Sequence, residues 1–245
     1  SNASGDLVSL FDLYTAKQKI DSSFLHSVLA TEKLEGVQFS DVILIHNQKE
    51  MVLVPSSLYN QELDAVLIDT IHGDQMDYSI AVDDVHQWEL HNVFGTSSEM
   101  LELVLDKYPQ ARQVQYMTAC LRGIFRTLTE DVNQWIKLYV LPSCFNLVVL
   151  KGEQLQIAKS FYYETPEDII YHLLNVVDKY GLDVSEAIVE VSGLLDSSSA
   201  TWRELGKYFL NISIEKTTSF SGENSNNADF PSHYFTPFLL VPRCV

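Results

Sequence analysis

The chain has 245 residues, 46% of them hydrophobic and 11% aromatic, so it can bury a substantial core, either as one large domain or as two of about 120 residues each. Asp and Glu outnumber Lys and Arg by 33 to 16, and a surface so acidic repels phosphate backbones and anionic lipid heads, which argues against nucleic-acid binding. Three scattered cysteines, Cys120, Cys144 and Cys244, are too few for a disulfide framework or a zinc site, and their odd count suits a reducing compartment. No run of 18 apolar residues occurs and no charged region leads into an apolar one near the start, so neither membrane insertion nor a signal peptide is expected, and a cytoplasmic location is. Ser1-Asn2-Ala3 reads as a cloning remnant.

Leu7 to Thr15 fits a strand loosely and a short helix about as well; a strand is expected. Asp21 and Ser22 offer N-caps to a helix with an apolar stripe of Phe24, Leu25, Val28 and Leu29, ended by Gly36. The apolar runs Val42 to His46 and Met51 to Val54 predict a hairpin or a strand pair. Ser56 to Ile71 then has mostly helical spacing.

Tyr78 to Val82 and Trp88 to Phe94 alternate as strands, with a turn expected around Asp83 and Asp84. Thr96 with Glu99 makes a capping box for a helix that stops at Pro109. Val114 to Met117 is a short strand, and Ala119 to Leu128 a helix leading into the second half.

The clearest stretch follows. Trp135 to Leu141, Cys144 to Leu150 and Leu155 to Tyr163 are three strands, β-branched and aromatic-rich, turned by Pro142-Ser143 and by Lys151 to Gln154. Thr165-Pro166-Glu167-Asp168 is a complete helix start: an N-cap hydroxyl, proline where no N–H is missed, and acids in the positive first turn. Ile169, Leu173, Val176, Val177 and Tyr180 form its buried stripe, and Gly181 can take the left-handed conformation that ends it. A strand from Ala187 to Val191, a loop at Gly193, a helix from about Ser198 to Phe209 and a strand from Asn211 to Lys216 complete the half. Ser219 to Asp229 is a polar linker before the apolar PSHYFTPFLLV.

Strand, strand, strand, helix, strand, helix, strand is the ribonuclease H-like order, an antiparallel meander extended by parallel strands through crossover helices. The first half reads less cleanly as the same order with its opening hairpin truncated. Two lobes are therefore expected, residues 4–118 and 119–245, in an α/β protein with two ribonuclease H-like subdomains, each a mixed sheet with a meander and flanking helices.

MVLVPSSLYN, KSFYYETPEDIIYHLLNVVDKYGLD, the IVEVSG strand-to-glycine junction and SHYFTPFLL together resemble an uncharacterised bacterial domain-of-unknown-function family. Its members look in fold like the actin, sugar-kinase and heat-shock-chaperone superfamily. The resemblance covers residues 40 to 240 and implies two subdomains around a cleft. It also implies that nucleotide, if bound, would sit between the first strand-to-strand turns of the two halves.

The residues permit a test of that implication. Phosphate loops of the superfamily need an aspartate followed two residues later by glycine, so that the carboxylate holds hydrated magnesium and the glycine admits backbone N–H groups to phosphate. None of the ten glycines has an aspartate two residues before it. The second-half turn, Leu141-Pro142-Ser143-Cys144, has neither residue, and its proline removes an N–H. Ser143 in that turn and Gly193 after the fourth strand are nevertheless the cleft candidates, Gly193 matching the kind of position that approaches adenosine.

No GxxxxGK[ST], GxGxxG or GxSxG occurs. His86 and His91 near Asp83, Asp84 and Glu89 read as a solvated acidic turn rather than a metal site, because an odd separation on a strand puts the imidazoles on opposite faces. Cys144 reads as core rather than nucleophile, His172 as a packed or surface residue, and Glu167 and Asp168 as caps beside Glu164. Two readings remain. The preferred one is a non-enzymatic actin-like scaffold that binds another protein; the alternative is a divergent ATPase or nucleotide-binding protein using ATP and magnesium.

Overall fold

In the computed structural model the described residues are 22–31, 38–73, 78–127, 133–215 and 232–236. They fall into two compact units, one ending at Thr118 and the other beginning at Ala119. The expected strand at Leu7 to Thr15, the helix end at Gly36 and the linker at Ser219 to Asp229 lie outside the described residues.

The C-terminal unit has strands β6 (Gln134–Val140), β7 (Cys144–Lys151), β8 (Gln154–Tyr162), β9 (Ile188–Gly193) and β10 (Asn211–Ile214). Two helices accompany them, α5 (Pro166–Tyr180) and α6 (Ala200–Leu205). The sheet order is β10-β9-β6-β7-β8. β6, β7 and β8 form an antiparallel meander, and β9 and β10 continue the sheet in parallel from β6. This is the ribonuclease H-like order the sequence predicts.

Side chains alternate across the sheet. Ile136, Leu138, Val140, Phe145, Leu147, Val149, Val189 and Val191 build the core with Ile169, Leu173, Val176 and Val177 of α5 and Leu205 of α6. β6 and β7 are buried almost end to end, as strands covered on both faces must be. α5 forms as its local signals dictate. Asp168 accepts the backbone N–H of Thr165 at 2.9 Å and of Glu164 at 3.0 Å, which satisfies donors the helix leaves orphaned. At the other end Gly181 takes φ +58, and the Leu182 N–H reaches back to the Val177 carbonyl at 3.0 Å, closing a Schellman motif. α6 is shorter than its expected span, ending at Leu205 before Gly206.

The N-terminal unit departs from expectation. β1 (Ile43–His46) and β2 (Met51–Pro55) form where predicted but do not pair with one another. β1 lies parallel to β5 (Arg112–Gln115), whereas β2 joins β4 (Leu90–Ser97) and β3 (Tyr78–Val85) in an antiparallel sheet of order β2-β4-β3. The C-terminal unit's five-strand order is not repeated among the described residues. The helix expected from Ser56 is two 3-10 turns, Ser56–Leu58 and Gln61–Leu63, followed by α2 (Asp64–His72).

Asp83 and Asp84 belong to β3, and the turn falls instead at His86–Glu89, where Glu89 takes φ 53. The cap of α3 (Ser98–Lys107) is Ser97, not Thr96: Ser97 accepts the Met100 N–H, while the buried Thr96 hydroxyl lies 3.0 Å from His46 Nδ1. α1 (Ser22–Thr31) is present as predicted, and α4 (Tyr116–Thr127) carries the chain across the boundary.

Candidate functional site

Ser143 and Gly193 come to one end of the C-terminal sheet. β6 and β9 run parallel with Val140 in register with Gly193, and Ser143 follows Val140 by three residues in the β6–β7 turn. Open α/β sheets present ligand sites at the carboxyl ends of such strands. The place is therefore right for a site; the chemistry of the residues decides what it can do.

The turn is committed to holding itself together. The Leu141 N–H donates to the Cys144 carbonyl at 2.9 Å, and the Ser143 carbonyl accepts from the Tyr163 N–H at 3.2 Å. Tyr163 Oη donates to the Leu141 carbonyl at 2.7 Å. Pro142 has no N–H, and neither turn residue takes a positive φ, so the loop lacks the alternation of hands that converges successive N–H groups on an anion. Ser143 is exposed and Cys144 buried.

Gly193 has φ +85, and a Cβ built on it would lie 2.0 Å from the Val140 carbonyl oxygen. The Leu194 N–H donates to that same oxygen at 2.8 Å, and the Leu195 N–H to the Gly193 carbonyl at 2.9 Å. Close approach of β9 to β6 accounts for the glycine without a ligand. In the loop beyond, Asp196 accepts the Ser198 N–H at 2.6 Å. Hydrogen bonds from Ser198 hold its carboxyl below the usual aspartate range, and His233 adds to the effect.

Sequence reasoning missed the polar interior of this sheet. On the face opposite α5, Lys137 of β6 is 4% exposed and donates to Glu190 and Glu215, each at 2.7 Å. Its ammonium also lies 5.0 Å from the Trp135 ring centroid. One pleat closer to the strand end, Ser192, Tyr139, Asn146 and Ser160 follow one another in register across β9, β6, β7 and β8. All four are buried. Ser160 donates to Asn146, and Ser192 Oγ finds no partner among the described residues. The only sequence signal was a lysine central to a strand otherwise rich in apolar residues.

The remaining candidates have neighbours within the protein. Asp83 accepts the Gln115 N–H at 2.8 Å, and His91 stacks on Tyr59 with centroids 4.1 Å apart. His86 lies in the turn rather than on the strand, so the two imidazoles are separated by a change of element rather than by strand alternation. Among the described residues no three His, Cys, Asp or Glu side chains gather as a metal site would require. His172 packs on Phe161 and Phe145 at 4.6 and 6.0 Å between centroids, and burial lowers its pKa below 6.5. Asp168 is a cap, its carboxyl held below the ordinary 3.8 first by the Thr165 N–H and then by that of Glu164. Among the described residues no helix is long and apolar enough to cross a membrane.

A Bacteroides thetaiotaomicron protein, described as having an actin-like ATPase fold and unknown function, is similar in structure with a TM-score of 0.72 and 20% identity over 79% of this chain and 76% of that one. The PilM-PilN type IV pilus biogenesis complex aligns at 0.54 and 10% identity, over 89% of this chain and 83% of that one. An AlfA filament bound to AMPPNP aligns at 0.41 and 11% identity, over 89% and 64%, a score too low to carry an argument. No curated protein matches the sequence. The fold is thus α/β and actin-like. A family model described as "Protein of unknown function (DUF3822)" matches residues 1–212, and the chain belongs to that family.

Proposed function

We propose that the protein is a non-enzymatic, actin-like binding module whose partner is another protein. The observation that carries this reading is the β6–β7 turn. Where an actin-like ATPase grips phosphate, Leu141-Pro142-Ser143-Cys144 offers no carboxylate for magnesium and no glycine, and its backbone is bonded to itself and to Tyr163. These residues do not fit ATP and magnesium, and Gly193 serves strand packing.

The PilM-PilN similarity supports the choice of partner class, since that neighbour is itself a protein complex. The acidic balance of 33 to 16 disfavours nucleic acid. Buried, reduced Cys120 and Cys144 suit a cytoplasmic setting, and a bacterial source accords with the Bacteroides neighbour.

The second reading, a divergent ATP-binding protein, draws on one observation: Ser143 and Gly193 share the carboxyl end of a parallel strand pair, the usual ligand position of such sheets. A hydrolysis assay separates the module from an ATPase. No phosphate release above the protein-free background is expected with Mg-ATP, whereas turnover that a Ser143→Asp substitution alters would replace the module reading with the ATPase one.

A further inference from the structure

α2 is apolar on two sides. Inward, Ile68 is fully buried with Val54 and Val93, and Leu67 packs partly against them. Outward, Val66 and Ile71 are 57% and 56% exposed, and Leu63, at the end of the 3-10 turn that leads into α2, is 47% exposed. Leu63, Val66 and Ile71 thus leave apolar side chains in water along this segment, of the kind a helix normally buries. Glu62 in the 3-10 turn and Asp69 in α2 are both exposed beside these residues in the chain.

The surrounding sequence says what could cover these apolar side chains. From Glu50 to Asp106 there are twelve Asp and Glu and not one Lys or Arg. A second copy of this chain would bring the same acid-only segment against itself, and an anionic bilayer would be repelled in the same way.

We propose that the exposed apolar side chains of α2 and the turn before it dock a basic amphipathic helix of a partner protein. Its apolar side covers Leu63, Val66 and Ile71, and its Lys or Arg residues meet Glu62 and Asp69. The inference rests on the protein-binding reading and specifies that reading's surface.

The test titrates the full chain with a fluorescent helical peptide having one leucine face and one lysine face, beside a leucine–glutamate peptide of the same pattern. Saturable binding of the lysine peptide that weakens with salt is expected. The L63Q/V66Q double variant, checked for unchanged circular dichroism, should bind about tenfold more weakly, as loss of central apolar anchors does. Three results would overturn the proposal: equal affinity in the double variant, equal binding of the glutamate peptide, or self-association of the wild type that the double variant abolishes, which would give this surface to a second copy. ATP turnover would sink the module reading alone and would leave the peptide result to stand or fall on its own.

Discussion

The two units use their apolar residues differently. In the C-terminal unit β6 and β7 are buried along nearly their whole length and α5 is buried on its apolar stripe. In the N-terminal unit the outer strands of the three-stranded sheet, β2 and β3, are mostly half-exposed, and α2 keeps apolar side chains in water. The charge balance differs as well: between Val8 and Thr118 there are seventeen Asp and Glu against six Lys and Arg, and in the rest of the chain sixteen against ten.

Matched substitutions sharpen the contrast. Gly193→Ala places a methyl group against the Val140 carbonyl at positive φ, and a loss of about 4 kcal/mol or outright failure to fold is expected. Gly73 has nearly the same φ, +84, but a Cβ there would meet nothing within 4 Å, so Gly73→Ala should carry the backbone strain alone, about 1–3 kcal/mol. Equal losses in denaturant titrations would remove the packing explanation for Gly193. A second pair compares helices. Leu173→Ala on the buried side of α5 should cost about 3 kcal/mol, while Val66→Gln on the outer side of α2 should stay within about 0.5 kcal/mol.

Lys137→Ala would strand two carboxylates inside the C-terminal unit, a loss of about 2–3 kcal/mol because Glu190 and Glu215 keep some contact with water. A double-mutant cycle with Glu215→Gln should show strong coupling, and additive losses would mean that the triad is not a unit.

The smallest effect concerns acid. The pKa of Asp168 is lowered on folding by backbone donors, so its stabilisation is present above the ordinary value of 3.8 and is lost as pH falls below it. His172 acts in the same sense from higher pH: burial favours its neutral form, and stability is lost as pH falls below 6.5. Melting curves between neutral pH and about pH 3 should therefore decline less steeply for Asp168→Asn in the lowest part of the range. An unchanged slope there would show that the cap does not titrate with folding.

How much could be read from the sequence tracks how local each signal is. The ends of α5 were legible because Thr165, Pro166, Asp168 and Gly181 act within a turn of themselves. The meander was legible because short turns leave β6, β7 and β8 few other partners. Local spacing pairs β1 with β2, whereas its neighbour, β5, arrives 69 residues later at Arg112. The local pattern makes Thr96 a cap, and nothing nearby shows that its hydroxyl meets His46, 50 positions away. Lys137 gives no local signal of its partners for the same reason, since Glu215 lies 78 positions on. At the candidate site, the sequence revealed which residues the β6–β7 turn lacks. The bonds that tie that turn to Tyr163, and the carbonyl that requires Gly193, depend on strand register.

The central claim, that this actin-like fold carries a turn unable to hold phosphate, is tested most directly by calorimetric titration of Mg-ATP into the full chain. No saturable heat at millimolar nucleotide is predicted, and no upward shift in melting temperature should accompany it. A saturable isotherm would contradict the claim, with a stabilisation of about 2.7 kcal/mol once nucleotide stood a hundredfold above its dissociation constant.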